Sequence, residues 1–444
     1  MATLAATPAS GTPIAERQPT DWTTPAMAAR IAARYRAERN FRVAGAAALM
    51  IAASFLAFLL FTIVRDGSTG FQRSEARIEV QFDAATLGVD PAAVSGSKGA
   101  GPQGQAVLAR ADYQALLLKA AAQLGPADDT LSDAAWMELR AVLMDDPALL
   151  GQRTILWVPV RSSIDLLAKG KYDMTAPAES RGVSDREVSD WRWLAREGRL
   201  RTGLNTTFLF GADSTEPELA GIGGAALGSL LTLAVTIAIA FPLGVFSAVW
   251  LEEFAPKGWL ADIIELSINN LAAVPSIIFG LLGLAFFLNF AGMPRSAPLV
   301  GGITLALMTM PVIVIAARVA IKAVPPSIRD AALAIGASPI QVVFHHVLPL
   351  ALPGIMTGTI IGVGRALGET APLLLIGMRA FVTDVPQGFT SPATVLPMQV
   401  FLWSDDVQRG FVEKTSAAIM VLMVILIAMN SVAIYLRNRF ERRW

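Results

Sequence analysis

The sequence predicts an all-α polytopic membrane protein of six transmembrane helices, with an α+β extracytoplasmic domain inserted after the first. Three observations carry this. Of 444 residues, 54% are hydrophobic and only 16% are charged, a balance too apolar for an ordinary water-soluble chain. Several runs free of charge reach the length of about 20 residues that crosses a hydrocarbon core as a helix. One long polar stretch, from Arg65 to about Ala220, separates the first such run from the others. The net charge is zero, which gives no pointer to nucleic acid. Cysteine is absent, so disulfides, thiolate metal sites and cysteine nucleophiles are excluded together.

In chain order, residues 1–42 read as a cytoplasmic N-terminal tail carrying Arg30, Arg34, Arg36, Arg39 and Arg42. Val43–Val64 is the first span. Its long charged preface and its length argue against a cleaved signal peptide. Residues 65–220 form the outer domain. Residues 221–444 hold five more spans: Ile222–Leu251, Ile263–Phe290, Pro298–Ala320, Ile355–Met378 and Ser416–Leu436. Positive flanks stay in the cytoplasm. The N-terminal arginines and Arg437, Arg439, Arg442 and Arg443 therefore agree with an even number of spans and both termini inside. The loop with Arg318, Lys322 and Arg329 then also lies inside.

The outer stretch mixes helical patterns at Tyr113–Leu124 and Ala134–Met144 with a strand-like "TILWVPV" at Thr154–Val160. The segment Ser95–Gln105 reads as a flexible loop. No catalytic constellation stands out. Trp136, Trp157, Trp191 and Trp193 are expected to pack rather than to cage a ligand.

The inner loop "VPPSIRDAALAIGASPIQVVFHHVLPLALPG" has its own punctuation. Pro325 and Pro326 end the fourth span. Ser327 is placed to cap a short helix, with Asp330 three residues on. Gly336 supplies a left-handed stop. Ser338 caps again, with Pro339 at the first helical position and Gln341 at the third. Pro349 and Pro353 are expected to break the second arm before span five. The product is a bent helical hairpin with small residues Ala331, Ala332 and Ala334 on one arm. It serves either as a plain connector or as a docking surface. His345 and His346 are neighbours on a helix and point about 100° apart, which does not suit a shared metal ion.

Span five carries two charges. At about 100° per residue, Gly354, Gly358, Gly362, Arg365 and Glu369 fall within an arc of about 80°. One charge in mid-membrane costs about 2.5–3.5 kcal/mol or more. Glycines four apart allow helices to approach closely. This face should therefore look at another helix or a watery path. An anion carrier could use Arg365 as its electrostatic partner, with Glu369 holding or releasing it. Bundle glue is the plainer alternative.

Two resemblances follow from these residues. "DAALAIG" followed by "VLP" resembles the coupling loop of ABC importer permeases, with Asp330, Ala331, Ala332, Gly336, Leu348 and Pro349 at its motif positions. Asp330 stands where the family has glutamate, and His346 where an aliphatic residue is usual. "RALGETAPLL" (Arg365–Leu374), "VPSIIFGL" (Val274–Leu281) and "ATVLPMQVFLW" (Ala393–Trp403) resemble the phosphate-specific (Pst) transport permeases, and the PstA branch more than the PstC branch. The likeness runs from about Gly221 onward.

The resemblance implies a type I ABC importer permease fold (MetI-like) in a bacterial inner membrane. It also implies a translocation path at Arg365, Glu369 and Thr370. The implied partners are a PstC-type permease, a PstB-type ATPase pair and a PstS-type phosphate-binding protein. No phosphate-binding loop ending in Lys-Ser or Lys-Thr occurs here. The chain is therefore expected to be no enzyme and to hold no cofactor, with ATP and Mg used by the partner ATPase. A permease for another oxyanion or small solute, a membrane-anchored sensor or scaffold acting through the outer domain, and a secondary carrier remain as alternatives.

Overall fold

The computed structural model describes residues 23–94, 101–256, 258–379 and 381–440. They form two compact units, 1–62 and 63–444. The first is one helix, α1 (Pro25–Gly67), whose last turns belong to the second unit. It begins well before the expected span, so Arg30 to Arg42 of the N-terminal tail are helical. Its apolar side chains, Leu49, Phe55 and Phe58 among them, are exposed.

The polar stretch folds as expected into mixed α and β structure. Strands β1 (Gln72–Gln81), β2 (Arg153–Pro159) and β3 (Leu200–Leu204) make an antiparallel sheet in the order β2-β1-β3. Side chains alternate across a strand. On β1, Ala76, Ile78 and Val80 point into the core while Arg77, Glu79 and Gln81 stay exposed. Between β1 and β2 lie α2 (Pro102–Leu108), α3 (Tyr113–Ala121) and α4 (Trp136–Asp145). Between β2 and β3 lie α5 (Ser162–Ala168) and α6 (Asp185–Arg196). Asp112 caps α3, and a Ser184–Glu187 capping box opens α6. Leu116, Leu139, Leu143, Ile164 and Leu194 complete the core. Of the expected loop at Ser95–Gln105, residues 95–100 lie outside the described ones. The remainder opens α2 instead, because Pro102 is preset for the first helical turn. Trp136, Trp191 and Trp193 pack on this core.

The remaining chain supplies the apolar helices α7 (Gly223–Val249), α8 (Trp259–Ala272), α9 (Ser276–Leu282), α10 (Pro298–Lys322), α11 (Pro326–Ala334), α12 (Leu348–Gly368), α13 (Ala371–Leu375), α14 (Leu396–Ser404) and α15 (Arg409–Phe440). Five helices of the described chain are long and apolar enough to cross a membrane, or six if a bent pair counts as one. That pair is the expected span Ile263–Phe290. It is not straight: α8 and the segment Ser276–Phe290 meet at 101°. Pro275 explains the break, since the residue before a proline is pushed out of helical conformation.

Two further expectations are corrected. Span five does not run from Ile355 to Met378, because α12 stops at Gly368 and Glu369 adopts an extended backbone. The prolines Pro349 and Pro353 do not break the second arm of the hairpin. Residues 339–368 run as one helical segment. A wider helical turn at Val342–Val347 precedes Pro349, and such turns relax the ladder where a proline removes a donor.

Helix α10 sits between α7 and α12. It comes so close to α7 that a Cβ on Gly302 would lie 2.4 Å from Val235 Cβ. Thr236 donates to the Gly302 carbonyl, and Thr304 and Thr309 donate to carbonyls one turn back. No buried hydroxyl of these three is left without an acceptor, as an apolar interior demands.

Candidate functional site

The glycine face of α12 does what its spacing suggested. A Cβ on Gly358 would lie 2.1 Å from Ala316 Cβ, one on Gly354 2.7 Å from Ala320 Cβ, and one on Gly362 3.0 Å from Thr309 Cγ2. All three neighbours are on α10, so only glycine permits this approach. The two charges do not share that contact. Arg365 Nε donates to Glu369 Oε1 at 3.3 Å, but the arginine side chain is 55% exposed and the glutamate 19%. The column Ile361, Arg365 and Gly368 lies open along α12. Arg365 is in the last turn, where a cation complements the carbonyl end of the helix. The wheel failed for Glu369 because it lies beyond the helix end. Thr370 begins α13 without a side-chain capping bond.

Two of the quoted motifs meet here. A Cβ on Gly280, within Val274–Leu281, would lie 2.6 Å from the Cα of Pro372, within Arg365–Leu374. The third motif is pinned nearby. The Leu396 amide donates to Ser229 Oγ at 2.8 Å, and Thr394 Oγ1 donates to the Met378 carbonyl at 3.1 Å. The break at Glu369–Thr370 is thus framed by fixed neighbours. An exposed guanidinium beside a carboxylate can hold an oxyanion through paired N–H donors.

At the other end of α12 the hairpin projects. Gly336 has φ +89, so its predicted left-handed stop is real. The Ser338–Gln341 capping box forms. Ser327 is not the cap of α11; Pro325 holds that position with no side-chain bond, because Pro326 already starts the helix. Asp330, Ala331 and Ala334 are exposed, while Ala332 packs inward. Leu348 and Pro349 lie at the start of α12 in partly buried positions. Beneath them, Pro349, Pro353, Ala320 and Pro325 line a cavity of about 330 Å³. His345 and His346 join no group of metal-binding residues among the described ones.

Residues not singled out from sequence complete the hairpin. Ile335 at the corner is 82% exposed, and Ile340 beside it is also exposed. Arg329 of α11 donates to Glu253 Oε1 at 2.7 Å and to the carbonyls of Val324 and Ile321. Arg318 bonds Glu252, and reaches Glu265 Oε2 at 2.7 Å. The pair Glu252–Glu253 closing an apolar helix was the available signal. A fixed base and an apolar tip suit docking to another protein.

A second set was missed entirely. Lys169 Nζ lies 2.7 Å from Asp165 Oδ2 and 2.6 Å from Glu413 Oε1, with all three side chains nearly fully buried. Thr69 Oγ1 donates to Glu413, and Lys414 Nζ to the Gly70 carbonyl. Nearby, Glu218 is buried with one carboxylate oxygen lacking a partner, and burial pushes its carboxyl up to about 7. This set ties the mixed domain to α15.

Several apolar helices, a projecting hairpin and an open charged helix face define a multi-pass membrane subunit. Two family models match the chain. One is "Domain of unknown function (DUF3333)" over residues 28–178, and the other "Binding-protein-dependent transport system inner membrane component" over 240–444. A probable ABC transporter permease protein, YqgI, of Bacillus subtilis (strain 168) is 32% identical over 46% of this chain and 74% of its own length. Phosphate transport system permease protein PstA 1 of Mycobacterium tuberculosis (strain CDC 1551 / Oshkosh) is 30% identical, over 50% and 72% respectively. Phosphate transport system permease protein PstC of Haemophilus influenzae is 30% identical, over 47% and 72%. The chain belongs to the ABC transporter permeases and is a PstA-like member of them. As a permease subunit it is a transport component rather than an enzyme.

Proposed function

We propose that the chain moves inorganic phosphate into the cytoplasm as one permease subunit of an ATP-driven importer. The observation that carries this is Arg365, half-exposed on an apolar helix that glycine contacts hold against α10. Lipid would reject that charge. A second permease of the PstC type closes the open column, and the path runs along Arg365, Glu369 and Thr370. A PstB-type ATPase pair, which binds ATP and Mg, docks on the hairpin around Asp330, Ala331 and Gly336, with Ile335 at its tip. A PstS-type protein delivers phosphate from outside. In this reading the bent pair is one of six spans, the fold is MetI-like and both termini are cytoplasmic. Residues 65–220 stand outside the bacterial inner membrane. The names of the relatives and the quoted motifs support phosphate over other oxyanions.

The test is uptake of radiolabelled phosphate by proteoliposomes holding the whole complex, with and without internal ATP. ATP-dependent accumulation that sulfate fails to replace is expected. Equal accumulation without ATP, or a preference for another solute, refutes the reading.

A further inference from the structure

The sheet of the mixed domain is covered on one side only. Helices α3 and α5 pack over β1, and Ala76, Ile78 and Val80 face the shared core. The opposite face carries Arg77 and Glu79 of β1 opposite Trp157 and Ile155 of β2. Ile155 is 61% exposed, and neither it nor Trp157 joins the core. Arg201 of β3 lies over the Trp157 ring at 4.4 Å and bonds Glu75 at 2.6 Å. Arg153 reaches Glu79 at 3.5 Å. Arg77 and Arg199 have no carboxylate partner among the described residues.

These two arginines flank a notch. Pairing with β3 ends where the Arg77 amide donates to the Arg199 carbonyl. Among the described residues, no strand pairs with that edge of β1 further on. A cavity of about 140 Å³ opens there, lined by Arg77, Glu79, Gln123, Ile155 and Arg199. Arginine and tryptophan around an exposed aliphatic residue make the composition of protein interface hot spots. Arg199 rests over the Trp193 ring at 5.5 Å, which holds its guanidinium in place without a carboxylate; guanidinium groups lacking an acidic partner select carboxylates, which they grip through two donors. The interspersed Glu75 and Glu79 disfavour a polyphosphate or an anionic lipid surface.

We propose that this open face docks a soluble protein presenting carboxylates around an apolar spot, with one carboxylate entering the Arg77–Arg199 notch. The assignment of that partner rests on the importer reading: it is the solute-binding protein of the same system. The test uses the whole complex in nanodiscs and the purified binding protein. Affinity is measured at equilibrium without ATP. Arg77→Glu combined with Arg199→Glu should raise Kd about tenfold or more, and Trp157→Ala should raise it several-fold. Arg77→Lys with Arg199→Lys should lose less. The thermal midpoint should hold in all, since these side chains lie outside the core. Absence of binding by the wild type, or equal affinity across the variants, overturns the proposal. Uptake is read separately. Its failure in the wild type strikes the importer reading, while the affinities still judge the docking face.

Discussion

Two groups of charges sit in apolar surroundings, and they are built in opposite ways. Lys169, Asp165 and Glu413 are sealed, and Lys169 meets both carboxylates within 2.7 Å. Arg365 and Glu369 make one 3.3 Å contact, and the arginine is half-exposed. A buried ion set stands only if its members satisfy one another. The first set is complete within the chain and acts as a joint between domain and helix. The second is incomplete, which is what a surface awaiting a further chain or an anion requires. On the proposed function, their difference separates structural charge from working charge.

The sealed set gives the largest expected effect. Lys169→Met removes the cation that both buried carboxylates bond directly, leaving only Lys414 near them, and should cost about 3–5 kcal/mol. Thermal unfolding of the purified complex, followed by intrinsic tryptophan fluorescence, reads this. A loss within error would show that the set is not a joint.

Glu218 sharpens the same side of the comparison. Its carboxyl is raised from 4.5 to about 7, mainly by burial. The folded state therefore holds a proton that the unfolded state releases. Stability from this group is complete below about pH 4.5 and is lost as pH rises through about 7. The difference amounts to about 3 kcal/mol. Glu218→Gln should flatten the profile of thermal midpoint against pH over that range, and an unchanged slope would refute the assignment.

Gly358→Ala probes the glycine contact that seats α12 against α10. Its Cβ would collide with Ala316, so a cost of about 1–3 kcal/mol is expected, seen as lower membrane abundance and a lower midpoint. Gly368→Ala, with open space around it, should leave abundance unchanged.

Arg365→Gln should have the smallest effect on stability, within about 0.5 kcal/mol. Phosphate uptake should nevertheless fall at least about tenfold, about 1.4 kcal/mol in the rate-limiting barrier. Normal uptake by this variant would place Arg365 with the structural charges.

Much of this was readable from one dimension. The long apolar helices follow from uncharged length, and the hairpin corner from Gly336 and the Ser338–Gln341 box. The glycine face follows from spacing alone, because regular helix geometry holds between residues 354 and 362. What failed lay where composition is silent. Gly368 and Pro372 mark the end of α12, but the apolar run from Ala371 to Leu375 concealed it. Pro275 did mark the break before α9, but the apolar run on both sides concealed it. Lys169 and Glu413 are 244 positions apart, and no local pattern links them. The open column along α12 depends on where neighbouring helices stop, which only packing decides.

The prolines that failed to break the hairpin arm leave a mechanical consequence. From Pro339 to Gly368 the chain is 30 residues of helix, about 45 Å at 1.5 Å per residue, with one wider turn at Val342–Val347. One tip stands beside Ile335 and the other ends against Glu369. The wider turn at Val342–Val347 and the two prolines after it are where such a lever gives, and beyond them Ile355 to Gly368 carries a tilt to the distal guanidinium as one piece.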